Sequence, residues 1–192
     1  MRRLLSMLFV IAFGAAMTLT AAAQEETTGS TAASSGKQSA GMGNTDTAFV
    51  EKAARGGLAE VELGQLAVQK ASSQEVKEFA QRMVDDHTKA NEQLKQVAAQ
   101  EHIDLPQQPN AKDKATKARL EKLSGERFDK AYMNDMVKDH QKDVAEFERE
   151  SKTTKDPAVK SFAEQTLPTL RDHLKEAQKI APKPQTAKSS GE

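Results

Sequence analysis

Apolar residues recur at intervals of three and four along most of the chain between residues 48 and 180. This spacing places them on one face of an α-helix. No stretch shows the strict alternation of apolar and polar residues that is typical of a half-buried β-strand. The pattern therefore predicts an all-α chain.

Capping signals and prolines divide this pattern into four long helices and one short helix. The sequence SSQE, which begins at Ser72, is typical of a capping box, and Asp156 followed by Pro157 is typical of a helix start. Pro106 and Pro109 interrupt the pattern after the second long helix. The predicted long helices cover 48–70, 73–101, 126–152 and 157–180, and the short helix covers 111–123. Four long helices with short links predict an up-down four-helix bundle, with the extra helix between the second and third.

The first 23 residues have the character of a signal peptide. Two arginines precede a short apolar run, and small residues follow it up to Ala23. A retained membrane anchor is the alternative, which the shortness of the apolar run disfavours. No other stretch is apolar enough to span a bilayer, so we expect an exported protein with no transmembrane helix after cleavage.

Polar segments flank the predicted bundle on both sides. Residues 24–47 are rich in Ser, Thr, Gly and Ala, and residues 181–192 contain two prolines and few apolar side chains. Such segments bury too little apolar surface to offset the entropy cost of ordering. We predict a disordered linker at 24–47, the bundle at 48–180 and a disordered tail at 181–192.

Composition and charge exclude several classes of function. The chain has no cysteine, which rules out disulfides, thiolate metal sites and a cysteine nucleophile. Basic and acidic residues number 28 each, and there is no Trp, so neither charge nor stacking indicates nucleic-acid binding. Phosphate-binding and nucleophile-elbow motifs are also missing. The sequence favours a non-enzymatic protein whose partner is an unknown envelope component or a second copy of itself.

An Asp-His pair recurs in three of the predicted long helices, in MVDDH, MVKDH and LRDH. Helical steps place the histidines, His87, His140 and His173, on the apolar faces. Glu60 lies at a similar depth in the first long helix. Because mid-helix residues of neighbouring helices meet at one level, the sequence predicts a central polar layer with one group from each helix.

This layer contains the donors that a transition metal takes in a helical bundle. Three neutral imidazoles and one carboxylate suit a divalent ion, so the predicted metal ligands are Glu60, His87, His140 and His173. Met83 and Met136 lie one turn before two of the histidines, and a thioether beside imidazole favours copper. In the alternative interpretation, hydrogen bonds satisfy each histidine within the core and the methionines fill gaps.

The sequence leaves open which of several neighbouring carboxylates point into the polar layer or contact its histidines. Glu62 competes with Glu60 as the inward group of the first helix. Asp143 and Glu176 each follow a histidine by three residues and could orient its ring, or could simply be solvated. A further hypothesis is that the aspartate before each histidine holds the imidazole of a neighbouring helix. These aspartates are Asp86, Asp139 and Asp172.

The segments AEVELG, DHTKAN, FDKAY and LPTLRDHL together resemble a bacterial exported family of ferritin-like four-helix proteins, catalogued as a domain of unknown function. The resemblance covers Phe49 to Gln178. It implies a ferritin-like bundle in the periplasm or at the outer membrane, without an assigned reaction. It also favours Glu60 over Glu62 and places Asp129 and Tyr132 among the residues that determine the shape of the bundle.

The chain departs from ferritins at the metal-binding motif. Their di-iron sites use Glu-x-x-His on two helices, whereas Val84, Val137 and Leu170 stand three residues before the histidines here. Copper or zinc is therefore favoured over a di-iron centre. Two functions compete: an exported envelope protein that binds one transition metal for metal handling or stress protection, and a structural or interaction module with no metal.

Overall fold

The computed structural model describes residues 43–182, and within this range the chain is helical with no strand. The helices are α1 (Asn44–Lys70), α2 (Gln74–Gln100), α3 (Ala111–Glu121), α4 (Gly125–Thr153) and α5 (Pro157–Ile180). The predicted fold class and order of helices are confirmed. Between residues 43 and 182, no helix has both the length and the apolar character needed to cross a bilayer.

The predicted boundaries at the two ends of the chain are tested only where the structure describes them. Helix α1 begins at Asn44 rather than at residue 48, so the last residues of the predicted linker are helical. The predicted signal peptide at 1–23, the rest of the linker and the tail beyond residue 182 lie outside the described residues.

A side-chain cap determines where α5 begins. The carboxylate of Asp156 accepts hydrogen bonds from the backbone N–H groups of Ala158 and Val159, both at 2.9 Å. Pro157 occupies the first turn of α5, where its missing N–H costs nothing. The N–H groups at the start of a helix have no partner within the helix, so this cap stabilises α5 at the predicted residue.

The corner between α1 and α2 is held by Asp129 of α4. Its carboxylate accepts hydrogen bonds from the N–H of Ser72 at 3.0 Å, the hydroxyl of Ser72 at 2.5 Å and the N–H of Ser73 at 2.9 Å. Ser73, rather than Ser72, is the N-cap of α2, because Ser72 is engaged by Asp129. The contact ties α4 to the corner between α1 and α2, which supports a role for Asp129 in determining the shape of the bundle.

Two apolar clusters fill the bundle, one towards each end. The first joins the end of α1 and the start of α2 to the start of α4 and the end of α5; it includes Ala67, Phe79, Phe128, Tyr132 and Ala177. The second joins the opposite ends of the same helices; it includes Phe49, Leu94, Phe147, Val159 and Phe162. Helices α2 and α4 therefore run in the same direction, so the up-down order expected from short links holds within α1–α2 and α4–α5 but not between α2 and α4. The segment 101–124, which contains α3, returns along the bundle, and this single long crossover is the ferritin-like connection.

A polar layer separates the two apolar clusters. On α2, His87 lies between Met83 of the first cluster and Leu94 of the second. The corresponding buried residues of the other long helices are Glu60, His140 and His173. The predicted layer with one polar group from each long helix is confirmed. Apolar packing above and below it removes these groups from water.

Removal of the Asp129 carboxylate is expected to destabilise the bundle. Asp129→Ala loses three hydrogen bonds to a buried charged acceptor, and each such bond contributes about 1.5–3 kcal/mol when well formed. Because Ser72 is partly solvated, we expect a loss of about 2 kcal/mol in the free energy of unfolding, measured by urea denaturation. Lys130→Ala, at the exposed neighbouring position, is the matched control, with a change within about 0.5 kcal/mol. Equal stability of the two variants would contradict the assignment.

Candidate metal centre

Three histidine rings converge at the middle of the bundle. The ring centroids of His87 and His140 are 5.7 Å apart, those of His87 and His173 are 5.4 Å apart, and those of His140 and His173 are 5.3 Å apart. One ring nitrogen from each lies within 4.8 Å of the other two. Within residues 43–182 this is the one group of three or more His, Asp or Glu side chains that meets this spacing.

The cluster is close to the spacing that a metal ion requires. Nitrogen ligands about 2.05 Å from a tetrahedral ion are about 3.4 Å apart. An inward movement of each ring nitrogen by about 1 Å is therefore enough to bring the three atoms to that separation.

Hydrogen bonds determine which ring nitrogen is free in His140 and His173. Nδ1 of His140 lies 3.0 Å from the carbonyl oxygen of Met136, and Nε2 of His173 lies 2.8 Å from Oδ2 of Asp86. Both partners can only accept, so these nitrogens carry the hydrogen and donate. The lone pairs are therefore on Nε2 of His140 and Nδ1 of His173.

One ring nitrogen of each histidine is buried and has no protein partner. Nε2 of His87, Nε2 of His140 and Nδ1 of His173 form no hydrogen bond within the described part of the chain. A buried polar atom without a partner costs about 1–3 kcal/mol. Three such atoms at one level of a core require a physical explanation, and a shared electrophile such as a metal ion provides one. The donor set thus fits a metal site.

Burial lowers the pKa of all three imidazoles. Desolvation is the largest cause in each case, and it brings the pKa of His140 to about 4 and that of His87 well below 6.5. Repulsion between the histidines lowers these two pKa values further. The pKa of His173 also falls, although the hydrogen bond to Asp86 opposes the shift. Near pH 7 the rings are therefore neutral, which is the state in which imidazole binds metals.

Asp86 connects the cluster to a surface ion pair between α2 and α5. Its Oδ2 lies 3.3 Å from Nε of Arg82, and Nη1 of Arg82 lies 2.7 Å from the carboxylate of Glu176. A carboxylate held between a guanidinium and an imidazole keeps the His173 ring in one orientation. Metal-binding histidines are usually held by an outer carboxylate or carbonyl in this way.

The hypothesis that each aspartate holds a neighbouring imidazole is right only for Asp86. Asp139 pairs with Lys142 at 2.9 Å, and Asp172 lies 4.0 Å from Arg82; neither is hydrogen-bonded to a histidine in residues 43–182. Each aspartate is one residue before its histidine and therefore lies about 100° around the helix. Only on α2 does that direction meet the imidazole of another helix.

Glu60 lies in the same layer but outside the three-histidine cluster. Its side chain is buried, and its Oε2 has no partner among the described residues. Desolvation raises its pKa well above 4.5, and the nearby Asp143 and Asp139 raise it further. Glu62, by contrast, pairs with Lys117 of α3 at 2.7 Å, so Glu60 is the inward carboxylate of α1. Its role as a metal ligand stays a prediction.

A cavity of about 180 Å³ lies beside Glu60 and His87. Besides Glu60, its acidic lining residues are Asp113, Asp139, Asp143 and Glu146. The pKa of Asp143 is raised to about 7, chiefly by burial and then by repulsion from Asp139 and Glu146. Asp143 therefore faces this cavity rather than orienting His140, which was one of its two expected roles.

Two cavity residues have little or no signal in the sequence. Thr166 lies in the apolar stripe of α5, and its buried Oγ1 has no partner within the described range. The weak sequence signal for Thr166 is a hydroxyl side chain at a position within an otherwise apolar stripe. Asp113 belongs to α3, whose position against the bundle depends on the crossover, so no sequence pattern places it at the cavity.

The four long helices and their single long crossover define a helical bundle with the ferritin-like connection. The chain belongs to the family described as "Domain of unknown function (DUF4142)", whose profile matches residues 30–180. This match confirms the resemblance drawn from the sequence. No curated protein matches the chain.

Solved structures of similar fold include two proteins of different kinds. A DUF305 fragment from Deinococcus radiodurans has a TM-score of 0.65 at 15% identity and covers 72% of this chain and 96% of its own. CopM in its Cu(II)-bound and Ag-bound forms has TM-scores of 0.57 and 0.58 at 17% identity, covering 70% of this chain and 93% of its own. At these identities the similarity shows the fold alone.

The depressed pKa of His140 predicts a loss of stability in acid. Below pH 6.5 the unfolded chain binds a proton at this ring that the folded chain does not bind until about pH 4. The contribution of neutral His140 is therefore complete above pH 6.5 and is lost as the pH falls. Glu60 acts in the opposite direction because its pKa is raised, so only a difference between variants isolates His140.

Urea denaturation in the presence of a chelator measures this difference. Between pH 7 and pH 5, His140→Gln is expected to lose less stability than the wild type, by roughly 2 kcal/mol. His102→Gln, at an exposed position after α2, is expected to follow the wild-type curve. Parallel pH profiles for the wild type and His140→Gln would show that the ring is not buried in its neutral form.

Proposed function

We propose that this protein binds one transition-metal ion per chain in the core of the bundle, through His87, His140 and His173. The observation that carries the proposal is the convergence of three buried histidine rings, each of which has one buried nitrogen without a hydrogen-bond partner. Helices position all three side chains, so little conformational entropy is lost when they close around an ion. The neutral state of the rings near pH 7 removes competition from protons.

Copper is the ion that we favour, with zinc as the second candidate. Imidazole ligands suit both ions. Met83 and Met136 are fully buried, one helical turn from His87 and His140, where a thioether could supply a soft donor. The fold neighbour CopM is known in Cu(II)-bound and Ag-bound forms, which supports a copper-group ion in a bundle of this type. In the four-coordinate version of the proposal, Glu60 supplies an oxygen ligand.

We further propose that the protein handles this metal outside the cytoplasm, in the periplasm or at the outer membrane. The signal-peptide character of the first 23 residues supports export. A protein that holds one ion in a buried layer suits sequestration or protection from metal stress, because burial slows the exchange of the ion with water.

Replacement of any histidine of the cluster is expected to abolish tight metal binding. The mature protein, purified without chelators, should contain about one ion per chain by elemental analysis. His87→Ala, His140→Ala and His173→Ala should each weaken Cu affinity by at least about 100-fold in chelator competition, more than the loss of an outer-shell partner. His102→Ala, at an exposed site, should bind like the wild type.

The competing function predicts a different result for the same variants. If the layer only determines how the helices pack, the wild type contains no metal and takes up none on titration. The three alanine variants then have lower melting temperatures that added Cu or Zn does not change. That result would replace the metal-binding proposal with a structural or interaction module.

Asp86 is expected to support metal affinity through its hydrogen bond to His173. Asp86→Asn can donate an N–H towards the ring and favours the wrong tautomer, so we expect a loss of metal affinity of about 10–100-fold. Asp85→Asn, at the next position, changes charge identically but alters only a contact with Gln81. Equal affinities for the two variants, measured by chelator competition, would remove Asp86 from the site.

A further inference from the structure

The cavity beside the cluster changes in character from its mouth to its inner end. From the solvent side, the exposed lysines Lys52 and Lys142 pair with Glu146 and Asp139. A third exposed lysine, Lys112 of α3, also borders the cavity. The charges of Glu146 and Asp139 are therefore largely neutralised by neighbouring cations.

The inner carboxylates are not neutralised in this way. Glu60 and Asp143 form no ion pair with any residue in the range 43–182, and Oε2 of Glu60 is fully buried without a hydrogen-bond partner. Asp113 of α3 borders the same space. Unpaired oxygen donors thus line the part of the cavity that reaches His87.

Other approaches to the histidine cluster are less suited to a cation. The two apolar clusters close the layer from above and below along the bundle axis. Between α2 and α5, the guanidinium of Arg82 lies over Asp86, the partner of His173, and a positive charge there repels an approaching cation. The acidic cavity is the side on which unpaired carboxylates face the cluster.

We propose that this cavity is the route by which a metal cation reaches the histidine cluster, with Glu60 and Asp143 as its transient oxygen ligands. This inference rests on the proposed function, because it requires that the cluster binds an ion. Five carboxyl groups line this cavity against three lysines, and such an excess of acidic groups raises the local concentration of cations. Unpaired carboxylates then replace part of the hydration shell before the ion passes to imidazole nitrogen.

The rate of metal association tests the route separately from metal affinity. The chain contains one tyrosine and no tryptophan, so the fluorescence of Tyr132, which packs in the core near Phe79, reports on the interior alone. Stopped-flow quenching by Cu(II), mixed with the metal-free mature protein, gives the association rate. Asp143→Asn and Glu60→Gln are expected to slow association by about tenfold. Glu164→Gln, an exposed site on α5 outside the cavity, should leave the rate within twofold.

A steric variant tests the same route without a change of charge. Gly56 borders the cavity, and a Cβ atom at this position meets nothing within 4 Å. Gly56→Leu therefore places bulk at the cavity without a backbone clash, and loss of a mid-helix glycine also favours the helix. We expect slower association by at least fivefold, with Cu affinity within threefold of the wild type. This variant keeps the test decisive if a carboxylate variant does not fold.

The outcomes separate the two proposals. Slower association in the cavity variants, with normal association in the control, supports the route. If Cu(II) binds the wild type but Gly56→Leu and Asp143→Asn associate at the control rate, the route is wrong and the metal site stands. If the wild type binds no Cu(II) at equilibrium, both proposals are overturned.

Discussion

The exclusion of water from the middle of the bundle is the constraint on which the rest of the structure depends. Two apolar clusters pack the ends of the four long helices and leave one polar group from each helix at the level between them. Imidazole nitrogens at that level have lost their hydration without gaining a protein partner. The same packing that stabilises the bundle therefore creates strong potential ligands for an electrophile.

Burial shifts the titration of acids and bases in opposite directions, and both shifts suit a cation site. The pKa of the histidines falls, while the pKa values of Glu60 and Asp143 rise. In each case the neutral form is favoured, which limits the electrostatic cost of a polar layer in the absence of an ion. Arrival of a cation reverses the preference of the carboxyl groups, because a nearby positive charge favours ionisation.

The connection between the α1–α2 pair and the α4–α5 pair explains why the cavity contains groups from more than one part of the chain. With α2 and α4 parallel, the segment 101–124 must return along the bundle, and α3 brings Asp113 against the cavity. Asp129 meanwhile ties the start of α4 to the α1–α2 corner. The crossover thus supplies part of the cavity wall, while the contact of Asp129 with the α1–α2 corner helps to hold α4 against α1 and α2.

The sequence by itself determined the helices and the faces on which the histidines lie, because apolar periodicity and caps such as Asp156 are local properties of the chain. Depth along the helices was enough to predict a layer of Glu60, His87, His140 and His173. Only the tertiary structure decided that Asp86, but neither Asp139 nor Asp172, contacts an imidazole, since that depends on the rotation of adjacent helices. It also decided that the three histidines cluster without Glu60, and that an acidic cavity lies beside them. Such arrangements depend on the distances and rotations between packed helices. The periodicity of apolar residues along the sequence does not specify these.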